Sequence, residues 1–410
     1  MRILMAARTS DPTTSGSALF TFRLAAGLHG AGHEVVLLAA APRSRARGPV
    51  QVSVVTSVPL WPFSTVERIP LLPRRHVEAV MDCLQPDVVH VQDHFLVSRA
   101  TIDVACQRGV PVLATNHFLP DNVLPFLPVP ARARRPLEQF LWRGVTSAFR
   151  RADLVTTPSE TGVGWLRSAG LDNEVLAVSC GVDLEVFRPD PQVDRLGLRR
   201  RLGLEQDRIT LVYVGRLERD KRLDDLLRAL AHPSLERIGG NRRPQLILVG
   251  RGRDSGRYRR LVSRLGLSRR VAFTGRVRRQ ALVEILNAAD IFVMPSPAEL
   301  QSIATLEAMA VGLPVVAAAA GALPELVRPG LNGRLFRPAD PDDAARQLAA
   351  LADEQAAWPQ MAEASRAIAA RHALPATVTR YEAIYGSLVA RAHRPSNPPL
   401  ASEPTEVPPP

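Results

Sequence analysis

Short, mostly apolar runs alternate with helical segments along this chain, and this pattern constrains its fold more than any other feature. Such runs occur at 2–6, 34–38, 88–91, 112–114 and 154–156, and the pattern begins again with 210–214, 246–249, 291–294 and 315–317. Apolar residues at nearly every position, rather than at every second one, are typical of a strand covered on both faces. Covered strands that are separated by helices predict parallel sheets, so we predict an α/β protein.

The apolar runs stop and restart across a polar segment near residue 190, which predicts two domains in this chain of 410 residues. We predict one Rossmann-like domain over 1–190 and a second over 191–375. A C-terminal helix over 376–394 is expected to return to the first domain. The Pro-rich segment 395–410 cannot form a core and is expected to be a disordered tail. In sheets of this kind, ligands bind beyond the carboxyl ends of the strands.

The net charge of +12 indicates either an anionic partner, such as nucleic acid, lipid head groups or a phosphorylated substrate, or merely a composition in which Arg greatly outnumbers Lys. Only 5% of the residues are aromatic, and the arginines are not interleaved with them. The sequence also contains no helix-turn-helix, zinc-binding or OB-type pattern. We therefore expect no nucleic-acid partner.

The three cysteines, Cys83, Cys106 and Cys180, are widely spaced and match neither a disulfide framework nor a metal motif. We expect reduced, mostly buried thiols. No stretch reaches the roughly 18 consecutive apolar residues that span a bilayer. These observations favour a cytoplasmic protein, for which peripheral association with the inner face of the cell membrane is an open alternative.

Two glutamates, Glu299 and Glu307, are separated by seven residues after the strand that ends at Met294. We expect Glu299 in a loop and Glu307 in a helix over about 301–311, so that both face one crevice. Carboxylates accept hydrogen bonds from sugar hydroxyls. The backbone N–H groups at the helix start, residues 302–304, suit an anion such as a diphosphate.

The sequence around these glutamates is more specific than their spacing. Glu307 begins Glu-Ala-Met-Ala-Val-Gly-Leu-Pro-Val-Val-Ala, and Gly321 begins Gly-Ala-Leu-Pro-Glu. This wording resembles glycosyltransferase family 4, the retaining enzymes of GT-B fold. Further segments that match the family pattern lie in order along the chain: 12–16, 32–35, 86–90, 115–117, 180–183, 214–217 with Lys221, and 332–336. The resemblance implies two facing Rossmann-like domains, the first for the acceptor and the second for the donor nucleotide.

The resemblance also implies catalytic and donor-binding roles. Arg216 and Lys221 would clamp the donor diphosphate, whose negative charge grows as the glycosidic bond breaks. Glu307 would bind the ribose hydroxyls and Glu299 the donor hexose. His117 would lie beside the reacting sugar and orient it.

Six further residues would surround the donor and complete this set: Gly16, Gly215, Gly250, Gln301, Ser302 and Ile303. Gly16 would let the backbone approach the phosphates, because a Cβ would obstruct it. The chain departs from the family pattern at Ser15, where a glycine is usual. It departs again after Glu299, where the family usually has one residue and then Phe-Gly, and this chain has Leu300 and then Gln301-Ser302. Gln301 and Ser302 would alter which hexose fits.

No Asp-x-Asp motif is found in the relevant loops, so we expect no metal requirement and no other cofactor. The donor is expected to be a UDP- or GDP-sugar, with a hexose of mannose or glucose type, and the sequence does not choose between them. The stretch 123–151 mixes arginines with apolar residues, which favours a lipid or glycolipid acceptor at an anionic membrane. The alternatives are a small soluble acceptor, with these arginines on an ordinary solvated helix, and a sugar-nucleotide epimerase of the same general fold.

Overall fold

A computed structural model describes residues 1–40, 50–59, 68–235 and 243–393. It contains two separate parallel sheets, each with helices on both faces, and one short antiparallel hairpin. The predicted tail over 395–410 lies outside the described residues. No helix within the described ranges is long and apolar enough to cross a membrane.

The first sheet has seven parallel strands. The strands of this part of the chain are β1 (Arg2–Ala7), β2 (Glu34–Ala40), β3 (Gln51–Val55), β4 (Ser57–Pro59), β5 (Arg68–Pro70), β6 (Val88–Val91), β7 (Val112–Thr115), β8 (Leu154–Thr157) and β9 (Val175–Ala177). Its helices are α1 (Gly16–Gly30), α2 (Pro73–Leu84), α3 (Leu96–Gln107), α4 (Ala131–Phe149) and α5 (Glu160–Ser168). The strand order is β3-β2-β1-β6-β7-β8-β9, and β4 pairs with β5 as the hairpin.

The second sheet has six parallel strands. They are β10 (Thr210–Val214), β11 (Gln245–Val249), β12 (Val271–Gly275), β13 (Ile291–Met294), β14 (Val315–Ala318) and β15 (Gly333–Phe336). The helices here are α6 (Arg195–Arg201), α7 (Leu223–Leu230), α8 (Ser255–Arg264), α9 (Arg279–Ala288), α10 (Ile303–Ala310), α11 (Leu323–Leu326), α12 (Pro341–Asp353) and α13 (Trp358–Ala370). The order is β12-β11-β10-β13-β14-β15.

Both sheets have the doubly wound strand order, in which the chain reverses direction across the sheet at one point. This point lies between β1 and β6 in the first sheet and between β10 and β13 in the second. Ligands of doubly wound sheets bind in the crevice beyond the carboxyl ends at this point. The fold therefore directs attention to the loops that follow β1, β6, β10 and β13.

The last helix, α14 (Leu374–Ala392), packs against α1 and β6 of the first sheet. Its Tyr381 and Tyr385 are fully buried in the core of the first domain. The Tyr385 hydroxyl lies 2.7 Å from Nδ1 of His90 on β6. The last described helix thus completes the core of the first domain, although it follows the second domain in the sequence.

The two domains contact each other through apolar side chains at the start of α10 and in the loop before it. Ile303 belongs to the core cluster of the first domain. Its Cδ1 would lie 4.0 Å from a Cβ built on Gly16, at the start of α1. Ala298 and Leu300 pack against Leu119, which follows β7. The loop that carries Glu299 is therefore held between the domains.

Two expectations from the sequence are wrong in detail. The helix that carries Glu307 begins at Ile303 and not at Gln301, because Ser302 is its N-cap and accepts a hydrogen bond from the backbone N–H of Thr305. The cysteines are not mostly buried, since Cys83 and Cys106 are exposed and only Cys180 is buried. All three are free thiols.

Candidate functional site

The glycines that end β10 and β11 bring these two strands into close contact. A Cβ on Gly250, whose φ is +134°, would lie 1.9 Å from the carbonyl oxygen of Gly215. A Cβ on Gly215 would lie 2.5 Å from the Tyr213 hydroxyl. In both cases the added Cβ would clash with protein atoms, so close packing at the strand ends explains why these two positions are glycines. Their packing sets the position of Arg216, the next residue.

Arg216 lies immediately beyond the carboxyl end of β10 and is about one-third exposed. Its guanidinium donates to the carboxylates of Glu218 and Asp220, the latter at 2.7 Å. Asp220 is almost fully buried. Two acidic partners fix the direction of the guanidinium, which has five N–H donors and so retains capacity for a further anion.

Lys221 ends a short 3-10 helix, Arg219–Lys221, and its ammonium joins the segment after β10 to the loop after β13. Nζ donates to Oε1 of Glu299 at 2.7 Å and lies 3.4 Å from Oγ of Ser296. The side chains of Lys221 and Glu299 are only 13% and 14% exposed. The structure thus brings together two residues that the sequence places 78 positions apart.

The backbone of the Glu299 loop is fixed by the turn that follows β14. The carbonyl oxygen of Glu299 accepts a hydrogen bond from the N–H of Ala322 at 2.9 Å. Gly321 has a φ of +57°, and a Cβ there would lie 2.6 Å from this same carbonyl oxygen. Only glycine allows this approach, so the Gly-Ala-Leu-Pro-Glu motif positions the loop.

Gln301 and Ser302, expected beside the donor sugar, use their side-chain oxygens within the protein. Oε1 of Gln301 accepts from the backbone N–H of Cys180 at 2.7 Å and from Oγ of Ser179 at 3.1 Å. Ser302 caps α10, and Ile303 is buried between the domains. The side-chain oxygens of Gln301 and Ser302 therefore fix the interface, while the N–H groups at the start of α10 have no partner within the helix.

Glu307 lies one turn into α10 and is 4% exposed. Its Oε1 accepts from Nη2 of Arg23 at 2.8 Å, so the partner of Glu307 comes from α1 of the first domain. Burial raises the pKa of Glu307, and the charge of Arg23 opposes this effect. The two glutamates of the seven-residue spacing therefore have different cationic partners, one from each domain.

His117 lies in the loop after β7, on the first-domain side of the cleft. Its Nε2 is 3.2 Å from Oε1 of Gln92, and its ring is 4.9 Å from that of Phe20 between centroids. Burial lowers the pKa of His117 to about 3. Burial and His117 together lower the pKa of His90 to about 3. Both imidazoles are thus neutral near pH 7.

Sequence reasoning missed Arg23, Gln92 and Asp93. Asp93 follows β6, accepts from the N–H of Arg8 at 2.6 Å, and has its pKa raised by burial. Arg23 could have been noticed in the sequence, because the strongly apolar helix over 16–30 contains no other Lys, Arg, Asp or Glu. A single charge in such a helix indicates a buried partner.

No cluster of three or more His, Cys, Asp or Glu side chains that could hold a metal ion occurs among the described residues. Arg216 and Lys221 supply two side-chain cations just beyond the carboxyl end of β10, and Lys221 reaches Glu299 in the loop after β13. They lie at the point where a doubly wound sheet binds its ligand.

Two known protein families match this chain, one over each domain. The family described as "Glycosyltransferase Family 4" matches residues 14–186, and "Glycosyl transferases group 1" matches residues 194–368. Among curated relatives, the D-inositol 3-phosphate glycosyltransferase 1 of Catenulispora acidiphila is 33% identical over 356 residues, which cover 82% of this chain and 81% of that protein.

A second relative, the D-inositol 3-phosphate glycosyltransferase of Streptomyces coelicolor, is 34% identical over 308 residues, which cover 70% of this chain. The match spans 65% of the length of that protein and 63% of the length of its Streptomyces griseus counterpart.

Solved structures agree on the fold. Sucrose-phosphate synthase from Thermosynechococcus elongatus has a TM-score of 0.77 at 22% identity, over 95% of this chain and 100% of that one. Anabaena Alr3699/HepE in complex with UDP and glucose has a TM-score of 0.76 at 21% identity, over 94% of this chain and 100% of that one. With the matches over both domains and the two facing sheets, these findings show that the chain belongs to glycosyltransferase family 4 and has the GT-B fold.

Proposed function

We propose that this protein moves a hexose of mannose or glucose type from a UDP- or GDP-sugar to an acceptor hydroxyl, with retention of configuration. The observation that carries the proposal is the ion pair between Lys221 and Glu299, beside Arg216, where β10 and β13 end. A diphosphate needs cations at this point and a hexose needs an acceptor of hydrogen bonds. The relatives named above are glycosyltransferases, and Alr3699/HepE binds UDP and glucose.

In this proposal Arg216 and Lys221 stabilise the leaving nucleoside diphosphate. The bond between the anomeric carbon and the diphosphate oxygen breaks, and the acceptor hydroxyl attacks from the same face. The departing phosphate takes the proton of that hydroxyl. Side-chain cations supply the charge stabilisation, so no metal is required.

His117 has a positioning role in the same scheme. Its lowered pKa keeps the imidazole neutral, so it can accept or donate one hydrogen bond but adds no positive charge beside the sugar. The bond to Gln92 fixes the plane of the ring. Catalysis then rests mainly on orientation and on the charge at the diphosphate.

The donor is tested with a panel of UDP- and GDP-sugars. A ligand that binds only the native state raises the melting temperature, so the true donor should raise it by an amount that grows with the logarithm of the ratio of donor concentration to Kd. Transfer of radiolabelled sugar is then measured with the donor that binds, and NMR of the product gives the anomeric configuration. Inversion would contradict the retaining mechanism, and no shift with any sugar of the panel would contradict the donor class.

For the acceptor, the surface of α4 favours a lipid at an anionic membrane. Phe140 is 68% exposed, Leu127 just before the helix is 39% exposed, and Arg132, Arg134 and Arg135 are exposed as well. Each basic residue near an anionic leaflet contributes about 1 kcal/mol, and salt weakens it. The names of the relatives favour instead a small soluble acceptor of the inositol phosphate class.

Sedimentation with vesicles separates the two acceptors. A lipid acceptor predicts that the protein sediments with anionic vesicles at low salt but not with neutral ones. Replacing Arg132, Arg134 and Arg135 with Ser should then reduce both sedimentation and transfer to lipid. If the protein stays in the supernatant and transfers sugar to inositol phosphate with or without these substitutions, the soluble acceptor is correct.

A further inference from the structure

We infer that Arg23, a residue of the first domain, is a positioning residue that completes the donor ribose site in the second domain by holding Glu307. The inference rests on the proposed function, in which Glu307 accepts hydrogen bonds from the ribose. It adds a residue of the acceptor domain to the set that determines donor affinity.

The contact is direct and enclosed. Nη2 of Arg23 donates to Oε1 of Glu307 at 2.8 Å, and the two side chains are 12% and 5% exposed. The guanidinium carbon of Arg23 also lies 5.9 Å from the centre of the Phe187 ring. The ring and the carboxylate therefore set the direction of the guanidinium from two sides.

The positive charge of Arg23 favours the ionised form of Glu307. Burial raises the pKa of Glu307, and among the charges that oppose this effect Arg23 is the largest. Arg279 on α9 lowers the pKa further, whereas Asp183 raises it, and these two side chains are paired with each other at 2.5 Å. Without Arg23, Glu307 would be protonated at a higher pH and would accept hydrogen bonds less well.

One nitrogen of Arg23 is left for a ligand. Nη1 is buried and has no hydrogen-bond partner among the described residues. An unpaired buried donor is unfavourable, so an oxygen that reaches it is bound with a gain. Because only one oxygen of Glu307 is bonded to Arg23, the carboxylate retains capacity for ribose hydroxyls, and Nη1 suits an oxygen of the same sugar.

Since Arg23 and Glu307 belong to different domains, the ribose site is complete only when the domains are in contact. Donor affinity should therefore depend on a residue that lies outside the donor domain. The experiment measures donor dissociation constants by calorimetry, with the UDP- or GDP-sugar that the panel identifies. The variants are Arg23→Gln, Arg23→Lys, Glu307→Gln and the double variant Arg23→Gln with Glu307→Gln.

A matched control is Thr161→Val. Oγ1 of Thr161 donates to Glu325 across the same domain interface at 2.6 Å, away from Glu307. We expect Arg23→Gln and Glu307→Gln each to weaken donor binding about tenfold, with a smaller change in kcat, and the double variant to match Glu307→Gln alone. Arg23→Lys should restore part of the affinity, and Thr161→Val should bind as the wild type does.

The pH dependence tests the charge directly. The loss in Arg23→Gln should grow as the pH falls, because its Glu307 is protonated at a higher pH than in the wild type. Glu307→Gln cannot titrate and should show no such dependence. A merely structural role of Arg23 would not produce this difference.

The outcomes are distinguishable. If the wild type binds no UDP- or GDP-sugar, or if Glu307→Gln binds normally, the proposed donor site is wrong and the inference falls with it. If Glu307→Gln binds weakly but Arg23→Gln binds as the wild type does, the inference alone is wrong. If Arg23→Gln does not fold, Arg23→Met, which keeps the aliphatic stem without the charge, takes its place in the same measurements.

Discussion

Replacing Lys221 with Met tests the ion pair that carries the proposed function. The substitution removes the ammonium 2.7 Å from Glu299 and keeps most of the aliphatic side chain. Glu299 then lies in a site only 14% exposed, without its cation and near the buried carboxylate of Asp220. Removing one partner of a buried pair costs about 3–5 kcal/mol. We expect about 3 kcal/mol here, because both side chains retain some contact with water.

The same loss can be expressed as a melting temperature. For a domain of this size, 1 kcal/mol corresponds to about 2–4 °C, so Lys221→Met should melt about 6–12 °C below the wild type. The double variant Lys221→Met with Glu299→Gln has no unpaired charge at this position. It should therefore recover most of the melting temperature.

Activity should not recover with stability. The double variant still lacks the cation at the leaving diphosphate, and loss of such a contact lowers the rate about 100-fold. Thermal unfolding gives the stability, and single-turnover transfer from saturating labelled donor gives the rate. Glu299→Gln alone should also lower the single-turnover rate of sugar transfer in the donor complex, since the proposed hexose contact is lost.

Two results would refute this reasoning. A melting temperature of Lys221→Met equal to that of the wild type would mean that the pair does not stabilise the protein. A double variant with the turnover of the wild type would remove both residues from the chemistry, whatever their effect on folding.

Three further predictions concern the same cleft. Arg216→Ala should lower single-turnover transfer about 100-fold while circular dichroism stays unchanged; a rate equal to that of the wild type would exclude the proposed clamp. Burial lowers the pKa of His90 and His117 to about 3 and that of His94 to about 4, from 6.5, so the unfolded state binds more protons below about pH 6.5. The free energy of unfolding, measured by denaturant titration, should therefore fall by about 2 kcal/mol per histidine from about pH 7 to about pH 5. Buried carboxylates with raised pKa values oppose part of this fall. A free energy of unfolding that does not change over this range would contradict neutral histidines. Chelation with EDTA should leave transfer unchanged, and loss that Mg²⁺ restores would show a metal requirement.

The central strands of both sheets could be predicted from the sequence, whereas the edge strands could not. Runs such as 88–91, in which His90 is the one polar residue, and 291–294 are buried at every position and give a strong apolar signal. The sequence analysis missed the two strands of the hairpin and also β3, β9, β12 and β15, which are the four edges of the two parallel sheets. An edge strand is covered less completely, and each of these four contains partly exposed positions. Their sequences therefore lack the continuous run that marks a central strand.

The positions of the candidate site residues could also be predicted, but their partners could not. A motif after a strand end fixes where Lys221 and Glu307 lie along the chain. Whether Glu307 meets a cation from its own domain or from the other depends on how the domains pack, and its partner is 284 residues away. Gln301 shows the same limit, because its oxygen is used by Cys180, 121 positions earlier.

The segment 298–307 links donor binding to the arrangement of the domains. Ala298, Leu300 and Ile303 pack on the first domain, and the side chains of Gln301 and Glu307 bond to it. Glu299 lies within the same ten residues and bonds to Lys221 of its own domain. A donor held by Glu299 and Glu307 would therefore rest on a surface that the first domain keeps in place. By thermodynamic linkage, a donor that binds this surface must favour the domain contacts to the same extent that the contacts favour the donor. Substitutions of first-domain side chains that contact the segment 298–307 should then change donor affinity without touching the donor.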